Sequence, residues 1–389
     1  MRPSRPFEMV SVEQRLHQMG RLVYALDETN IRIIKMMHKV GPRNLLEVAR
    51  ATELPPTSVY DRARRLEHEF GVLSTANLEH SKIGLRKCAT LVESSPGMEE
   101  YVTEALAVPN YWKTITRCEG GFTHYALHAI PAQRRQEFEK YLDQIQEGGL
   151  ARKHETIWVS DYHYLFPNFQ LYDPRYRAWS FEWDTWMSRV KERRDTKVIT
   201  DPVDYSIRAD RTDLLILAAL EINAREKFSE MSKLLGITLQ AVKHRYDKRI
   251  VPRGLIKDFI INVFPYPPGI SDLYEVLMTF DDDESMQAFC GTAQQMFPVQ
   301  RIMKVLGKRI LSVRAYTPRS ETKDLFSTLS NLARSGLLSD YSAVRIRPEM
   351  QTRQMISTEL FDDKVGWKYE ASQHSSVLET ITEHAKVNV

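Results

Sequence analysis

Long apolar runs are missing from this chain of 389 residues. No stretch reaches the roughly 18 consecutive apolar residues of a membrane-crossing helix, and Met1 to Pro6 lack the apolar core of a secretory signal, so a soluble cytoplasmic protein without a membrane partner is expected. Cysteine is scarce. Cys88, Cys118 and Cys290 are odd in number and have no CxxC spacing, which argues against a disulfide framework or zinc ribbon and leaves them as small buried hydrophobes. Charge of one sign is also lacking: 54 Lys and Arg against 51 Asp and Glu give +3, so any hold on nucleic acid must come from local basic surfaces. No GxSxG, Walker-type or GxGxxG pattern occurs, and the expectation is a protein that is not an enzyme and carries no cofactor or metal. What is present, 42% hydrophobic and 27% charged residues, suits two to four folded domains.

The chain does contain a repeat. Residues 27–73 and 210–256 superimpose without a gap at an offset of 183, with Asp27/Asp210, Thr29/Thr212, Ile33/Ile216, Glu47/Glu230, Val59/Val242, Arg62/Arg245 and Gly71/Gly254 identical. Apolar class is kept at further pairs such as Ile34/Leu217, Val48/Met231 and Leu54/Ile237, the places where a three-helix module needs an interior. Asp27 precedes the rhythm Ile31, Ile34, Met37, Val40, a helix cap followed by an amphipathic helix that Gly41-Pro42 ends. A short second helix near residues 45–51 leads through Pro55-Pro56 to a third near residues 57–69, which Thr57 or the residue before it can cap, and a strand follows Gly71. The second copy runs in the same order, its third helix near residues 238–249. Each copy reads as a winged helix-turn-helix.

Beyond each module the pattern reads β-α-β-β-α-β, a ferredoxin-like unit, with turns at Gly120-Gly121 and Gly307-Lys308. The fold class expected is therefore α+β: two winged helix-turn-helix domains, each followed by a ferredoxin-like βαββαβ domain. The divisions are an N-terminal helix (1–26), first winged module (27–85), first ferredoxin-like domain (86–160), aromatic-rich connector (161–207), second winged module (208–265), second ferredoxin-like domain (266–348) and C-terminal extension (349–389). The connector concentrates too many rings, from Tyr162 to Trp186, for a flexible linker, and a short helix is expected from about residue 181. The extension is polar, with a helix near residues 376–386.

The third helices carry the candidate chemistry. Val59, Ala63 and Leu66 share one face, which leaves Thr57, Ser58, Tyr60, Arg62, Arg64 and Arg65 outside, a division that suits a recognition helix whose polar side chains reach base edges and phosphates. The second copy offers Gln240, Lys243, His244, Arg245, Lys248 and Arg249. Lys82, Arg86 and Lys87 near the first wing are either further phosphate contacts or plain surface. His124 and His128 fall on one strand face, with His154 and His163 further on, but no carboxylate or thiol completes a metal pattern.

At the residue level, the run Ser58-Val59-Tyr60-Asp61-Arg62-Ala63-Arg64-Arg65-Leu66-Glu67, then Gly71-Val72-Leu73, Leu78 and Ile83-Gly84-Leu85, resembles the feast/famine (leucine-responsive/asparagine regulator, Lrp/AsnC-type) transcription regulators of prokaryotes, and Cys118-Glu119-Gly120-Gly121-Phe122 resembles the hairpin of their effector domain. The resemblance implies a winged helix-turn-helix ahead of a ligand-sensing domain, and chains that pair by stacking sheets. It departs at Phe70, which adds a residue before Gly71, and at Thr123 and Ile310, where the family's hairpin has an aspartate. The reading is a nucleoid-associated transcription regulator binding double-stranded DNA through two heads in one chain, with a small-molecule effector implied by resemblance and a homodimer left open. The alternatives are a protein-binding scaffold built on winged modules and a chromatin-organising DNA-binding protein.

Overall fold

The computed structural model describes residue 18, residues 21–296 and residues 298–388. Most of the N-terminal helix expected over 1–26 lies outside the described residues. In the first head, Asp27 accepts the Asn30 amide at 2.6 Å and starts α1 (Glu28–Val40), whose Ile31, Ile34 and Met37 are buried. Helix α2 (Leu45–Thr52) is capped by Asn44, and α3 (Pro56–His68) turns Val59, Ala63 and Leu66 inward. Thr57 does not cap α3. Pro56 occupies its first turn and Pro55 stands at the cap without a side-chain hydrogen bond, because proline presets the helical φ and has no amide to satisfy. Gly71, at φ +69°, then reverses the chain into strand β1 (Leu73–Leu78).

An antiparallel sheet with two helices follows: β2 (Leu85–Ser94), α4 (Glu99–Ala107), β3 (Trp112–Glu119), β4 (His124–Pro131), α5 (Arg135–Glu147) and β5 (Ala151–Val159). The connector holds β6 (His163–Tyr164), the miniature pair β7 (Tyr172–Asp173) and β8 (Ala178–Trp179), and α6 (Trp183–Lys191). The second head has α7 (Arg211–Ile222), α8 (Phe228–Leu235), α9 (Leu239–Arg245) and β9 (Ile256–Asn262). Its third helix is shorter than the sequence pattern suggests: Thr238 caps it, and beyond Arg245 the backbone widens into a π turn over Tyr246–Ile250. The second sheet unit comprises β10 (Ser271–Phe280), α10 (Asp283–Thr292), β11 (Val299–Lys304), β12 (Ile310–Pro318), α11 (Thr322–Arg334) and β13 (Leu338–Ile346). It is followed by β14 (Thr352–Arg353), the pair β15 (Phe361–Asp362) and β16 (Gly366–Trp367), and α12 (Ala371–Asn388). Thus the extension repeats the connector, a recurrence visible in Leu171-Tyr172-Asp173 with Trp179 and Leu360-Phe361-Asp362 with Trp367.

Sheet pairing ties the halves together. The order β5-β2-β4-β3 continues into β13-β10-β12-β11, with Ile346 opposite Cys118 at the junction. The outer edges meet as well: Val159 bridges Val305, the Ser160 amide reaches the Lys304 carbonyl at 2.8 Å, and the Leu306 amide reaches the Trp158 carbonyl at 2.9 Å. Both open edges of each unit are consumed and the strands close into a barrel. Ala89, Leu91, Leu127, Val159, Leu273, Met303, Val305 and Val344 belong to one buried cluster between the sheets. Strand β1 runs antiparallel to β9, Leu73 opposite Asn262 and Thr75 opposite Ile260, so each head's wing is completed by the other's. The trailing helices cross over: α6 packs on α10 and α11, with Trp186 edge-on to Phe289, while α12 packs on α4 and α5.

One clasp recurs in both heads. Arg62, on α3, donates to the α1 cap Asp27 at 3.2 Å and to Asn30 at 3.0 Å; Arg245, on α9, donates to Asp210 and Asp213 of the α7 capping box at 2.8 Å, and Arg249 joins them at 2.7 and 2.9 Å. We expect Asp210→Ala, which removes a cap and one carboxylate of a part-buried cluster, to cost about 2 kcal/mol, and Asp27→Ala, at a more exposed clasp, about 1 kcal/mol. Urea unfolding measures both, and two losses no larger than that of an exposed control such as Lys308→Ala would contradict the clasp.

Candidate recognition faces and the cavity beneath the heads

The sequence-predicted residues divide into two groups. Thr57, Tyr60, Arg64 and Arg65 of α3 are exposed, with Arg65 lightly held by Glu69 at 3.3 Å, and Ser58 is half-buried. Gln240, Lys243 and His244 of α9 and Lys248 of the π turn are exposed too. Arg62, Arg245 and Arg249, in contrast, are half-buried in the clasp, so their guanidinium groups hold the third helix to the first. Helical-face geometry alone puts them outside; the carboxylates that capture them lie 35 residues earlier in the Arg62 and Arg245 pairs. Lys87 is no surface cation either, being 2% exposed, and Arg86 stacks on Tyr205 at 4.4 Å. Lys82 donates to the Gly254 carbonyl at 3.2 Å.

The heads meet each other. Arg43 donates to the carbonyls of Ala224 and Glu226 at 2.6 and 2.9 Å and lies over the rings of Phe228 and Tyr246, while Arg225 pairs with Glu67 at 2.9 Å. The second head is also anchored below, where Glu221 at the end of α7 takes Lys113 of β3 at 2.8 Å and the Ile356 amide at 2.8 Å. Burial lowers the Lys113 ammonium below its ordinary range, and Glu221 opposes that.

Between the paired wings and the near end of the barrel lies a cavity of about 1210 Å³ that sequence reasoning missed. Its wall takes Leu73, Thr75 and Asn77 from β1, Ile260 and Asn262 from β9, and Lys87, Lys113, Leu273, Arg301 and Arg314 from the sheets. The charged groups are organised. Lys87 sits 3.0 Å from Asp161 and 3.6 Å over the Tyr162 ring, with Arg301 4.3 Å over the same ring. Burial opposes ionisation of Asp161, but the Lys87 ammonium and His80 outweigh it and hold the carboxyl well below the carboxylate range. His80 itself is kept neutral, first by burial and then by Lys87, so its 2.7 Å contact to Asp161 is a hydrogen bond from Nδ1–H. Inside the barrel Glu275 accepts from Arg314 Nε at 2.7 Å and Ser312; burial raises its carboxyl, and Arg314 and Arg301 override that. Burial likewise pushes the Tyr162 phenol up, yet Arg301, Lys87, Arg314 and Arg353 bring it below its usual value. Lys87, Asp161, Glu275 and Arg301 are each more than 20 residues from the next in sequence, so no spacing motif reveals them.

The histidines lie elsewhere. His124 contacts Ser94, Thr123 and Thr103 side chains at 3.1, 2.9 and 2.9 Å, and His128 Nε2 reaches the Leu106 carbonyl at 2.9 Å. His154 pairs with Asp143 at 3.1 Å and His163 meets Lys257 at 3.2 Å, so the four imidazoles serve separate local contacts. The three cysteines are buried free thiols.

The comparisons bear on the heads and on the whole architecture. A family model for the AsnC-type helix-turn-helix domain matches residues 210–248. An uncharacterized HTH-type transcriptional regulator of Pyrococcus furiosus is 35% identical over 77 residues, 20% of this chain and 51% of that protein. A counterpart from Pyrococcus abyssi is 34% identical over 77 residues, again 51% of its length. The chain thus spans about half the length of the curated relatives it matches. Over 92% of this chain and 100% of the other, the fold is similar to that of the siroheme decarboxylase NirDL, with a TM-score of 0.54 and 9% identity. That likeness corrects the expectation that the chain is not an enzyme: an enzyme is built on the same architecture, and short catalytic motifs are no guide where functional side chains come together from distant strands. Among the described residues no helix is long and apolar enough to cross a membrane.

The buried histidines set an acid limit. Burial lowers His128 to about 4, and burial with Arg117 lowers His124 to about 3, whereas an unfolded imidazole titrates near about 6.5. The unfolded chain therefore takes up these protons first, and stability present above pH ~6.5 is lost as pH falls towards ~4, at up to about 1.4 kcal/mol per pH unit for each histidine. Urea midpoints between pH 7.5 and 5 should fall accordingly, with a shallower fall in His128→Gln. A midpoint independent of pH in that window would contradict the assignment.

Proposed function

We propose that the chain is a DNA-binding transcription regulator of the Lrp/AsnC kind in which one polypeptide supplies both heads, the paired wings and closed barrel standing in for the association of two chains. The observation that carries the reading is the AsnC-type domain at residues 210–248, whose exposed Gln240, Lys243, His244 and Lys248 lie on or directly after its third helix. The Pyrococcus relatives, by their names transcriptional regulators, support it. Double-stranded DNA is the partner, phosphates supply affinity, and Thr57, Ser58, Tyr60, Arg64 and Arg65 with the second-head residues supply preference; Arg62, Arg245 and Arg249 act by holding those helices in place. Arg43 and the Arg225–Glu67 pair fix the spacing of the heads, and the cavity below is the place for a small-molecule effector.

A second reading, catalysis on a molecule held in the cavity, is favoured by the buried Lys87–Asp161–His80 and Arg301–Glu275–Arg314 networks together with the fold of the siroheme decarboxylase, which has also been crystallised with an iron-uroporphyrin III analogue. The two readings separate experimentally. Selection of bound fragments from random duplex DNA should return an enriched sequence, and Arg64→Ala with Arg65→Ala, or Lys243→Ala with His244→Ala, should weaken its binding by roughly tenfold or more in a gel shift while leaving stability unchanged. Affinity should fall steeply with salt. No enrichment, and the same weak binding in both double variants, would leave the catalytic reading standing alone.

A further inference from the structure

We propose that the two heads read one asymmetric stretch of duplex DNA: two half-sites of unlike sequence, inverted with respect to each other at a single separation, so that the chain lies on its site in one direction only. The inference rests on the DNA-binding reading above and adds the form of the site.

Inversion follows from the way the heads meet. At the offset of 183 that relates them, the counterpart of Ala76 is Phe259, and in the ribbon of wings Ala76 stands opposite Phe259. The flanking pairs are reciprocal: Thr75 faces Ile260 and Asn77 faces Asp258, while Ile260 is the counterpart of Asn77 and Asp258 that of Thr75. Arg43 and Glu226 are counterparts as well, and Arg43 donates to the Glu226 carbonyl at 2.9 Å. Residues meet their own equivalents in this way about a two-fold axis, as in an isologous dimer. A local two-fold therefore relates α3 to α9, and a protein two-fold is matched on DNA by inverted half-sites rather than direct repeats. The same contacts fix the separation. Arg43 lies over the Phe228 and Tyr246 rings at 4.2 and 5.4 Å, and Arg225 pairs with Glu67 at 2.9 Å with both side chains largely buried, so the heads are not free to slide to another spacing.

The frames agree, but the side chains they carry do not. In both heads an arginine at the same place, Arg62 or Arg245, clasps the third helix to the first, so outward positions of α3 and α9 compare one for one. Tyr60 answers to Lys243, Asp61 to His244 and Arg64 to Asp247, all of them exposed. The last pair reverses its chemistry: a guanidinium donates, as to guanine O6 and N7, where a carboxylate accepts, as from the cytosine amino group. The backbone adds a second difference. Helix α3 runs on to His68, whereas the π turn begins directly after Arg245, so Asp247 and Lys248 leave a wider coil than Arg64 and Arg65 do. A base edge suited to one head is thus unsuited to the other. Identical chains about a two-fold would ask for a palindrome; these heads ask for two different halves, and turning the chain round sets both against the wrong bases.

Selection from a random duplex library with the full chain, followed by gel shifts, tests the form of the site. The enriched sequence is expected to hold two unlike halves. Duplexes carrying either half twice in inverted orientation should bind roughly fivefold or more weakly, the scale of one or two lost base contacts. Insertion of about five base pairs, half a helical turn, between the halves should weaken binding at least as much. Arg64→Ala with Arg65→Ala should erase discrimination against base changes in one half and retain it in the other, and Lys243→Ala with His244→Ala should do the reverse, with urea midpoints confirming the fold. A palindromic consensus, equal affinity for the selected and symmetrised duplexes, an insertion without effect, or two double variants that relax the same half overturns the proposal and leaves the DNA-binding reading intact. Absence of any enriched sequence overturns that reading itself, and the proposal with it.

Discussion

A four-stranded βαββαβ sheet cannot remain alone in water. Its helices cover one face, leaving an apolar face and two edges of unpaired amides and carbonyls. A second sheet of the same kind, turned so that β13 meets β3 and β11 meets β5, satisfies both requirements together. Most of the architecture follows from that closure. It puts the two heads at one end, where β1 and β9 find each other, and it makes the trailing helices cross, α6 onto the second unit and α12 onto the first. Separating the halves would reopen all of these surfaces at once, so the barrel, the ribbon of wings and the paired heads form one cooperative body.

Within that body the charged interior is the exception that calls for a reason. Replacing a buried ion pair by well-packed apolar residues is commonly neutral or stabilising, and the first sheet does have Ala89 and Leu127 where the second has Glu275 and Arg314. Stability therefore does not explain the charges. Their position does: they lie below the wings, and Lys113, which shares that cavity, is also the residue that grips the second head through Glu221. The cavity wall and the seating of the head thus share one lysine.

Much of the fold could be read from the sequence because its signals are local. Helix caps, prolines, glycines such as Gly71 and Gly254 at the wing entrances, and apolar periods all act within a few residues, and they outline an α+β chain with helix-turn-helix and ferredoxin-like units. The repeat of the connector in the extension was also written there, in Leu-aromatic-Asp followed by Trp, but the two stretches differ in length at the turn and in polarity. The cavity was not legible. Lys87, Asp161, Glu275, Arg301 and Arg314 span more than half the chain and meet only because the barrel closes. Arg62 and Arg245 were legible and misread: identity at both Asp27/Asp210 and Arg62/Arg245 was a hint that the two positions form a pair, whereas the helical face taken alone made them look like base readers.

Where the halves agree and where they differ is itself informative. Any feature that the body needs twice is the same twice: the carboxylate–arginine clasp, the edges that close the barrel, the ring-rich strap before each trailing helix. A symmetric pair of identical chains would be obliged to present two equal cavities' worth of charge and two equal recognition faces. One chain is not. Here α3 shows Tyr60, Arg64 and Arg65 while α9 and its π turn show Gln240, Lys243, His244 and Lys248, and Lys87 of the first sheet has Leu273 at the matching position of the second. The differences fall on surfaces that would touch DNA or a ligand, and the likenesses on surfaces that touch only the chain itself. Such a distribution is what results when folding constrains both halves equally and recognition constrains each separately.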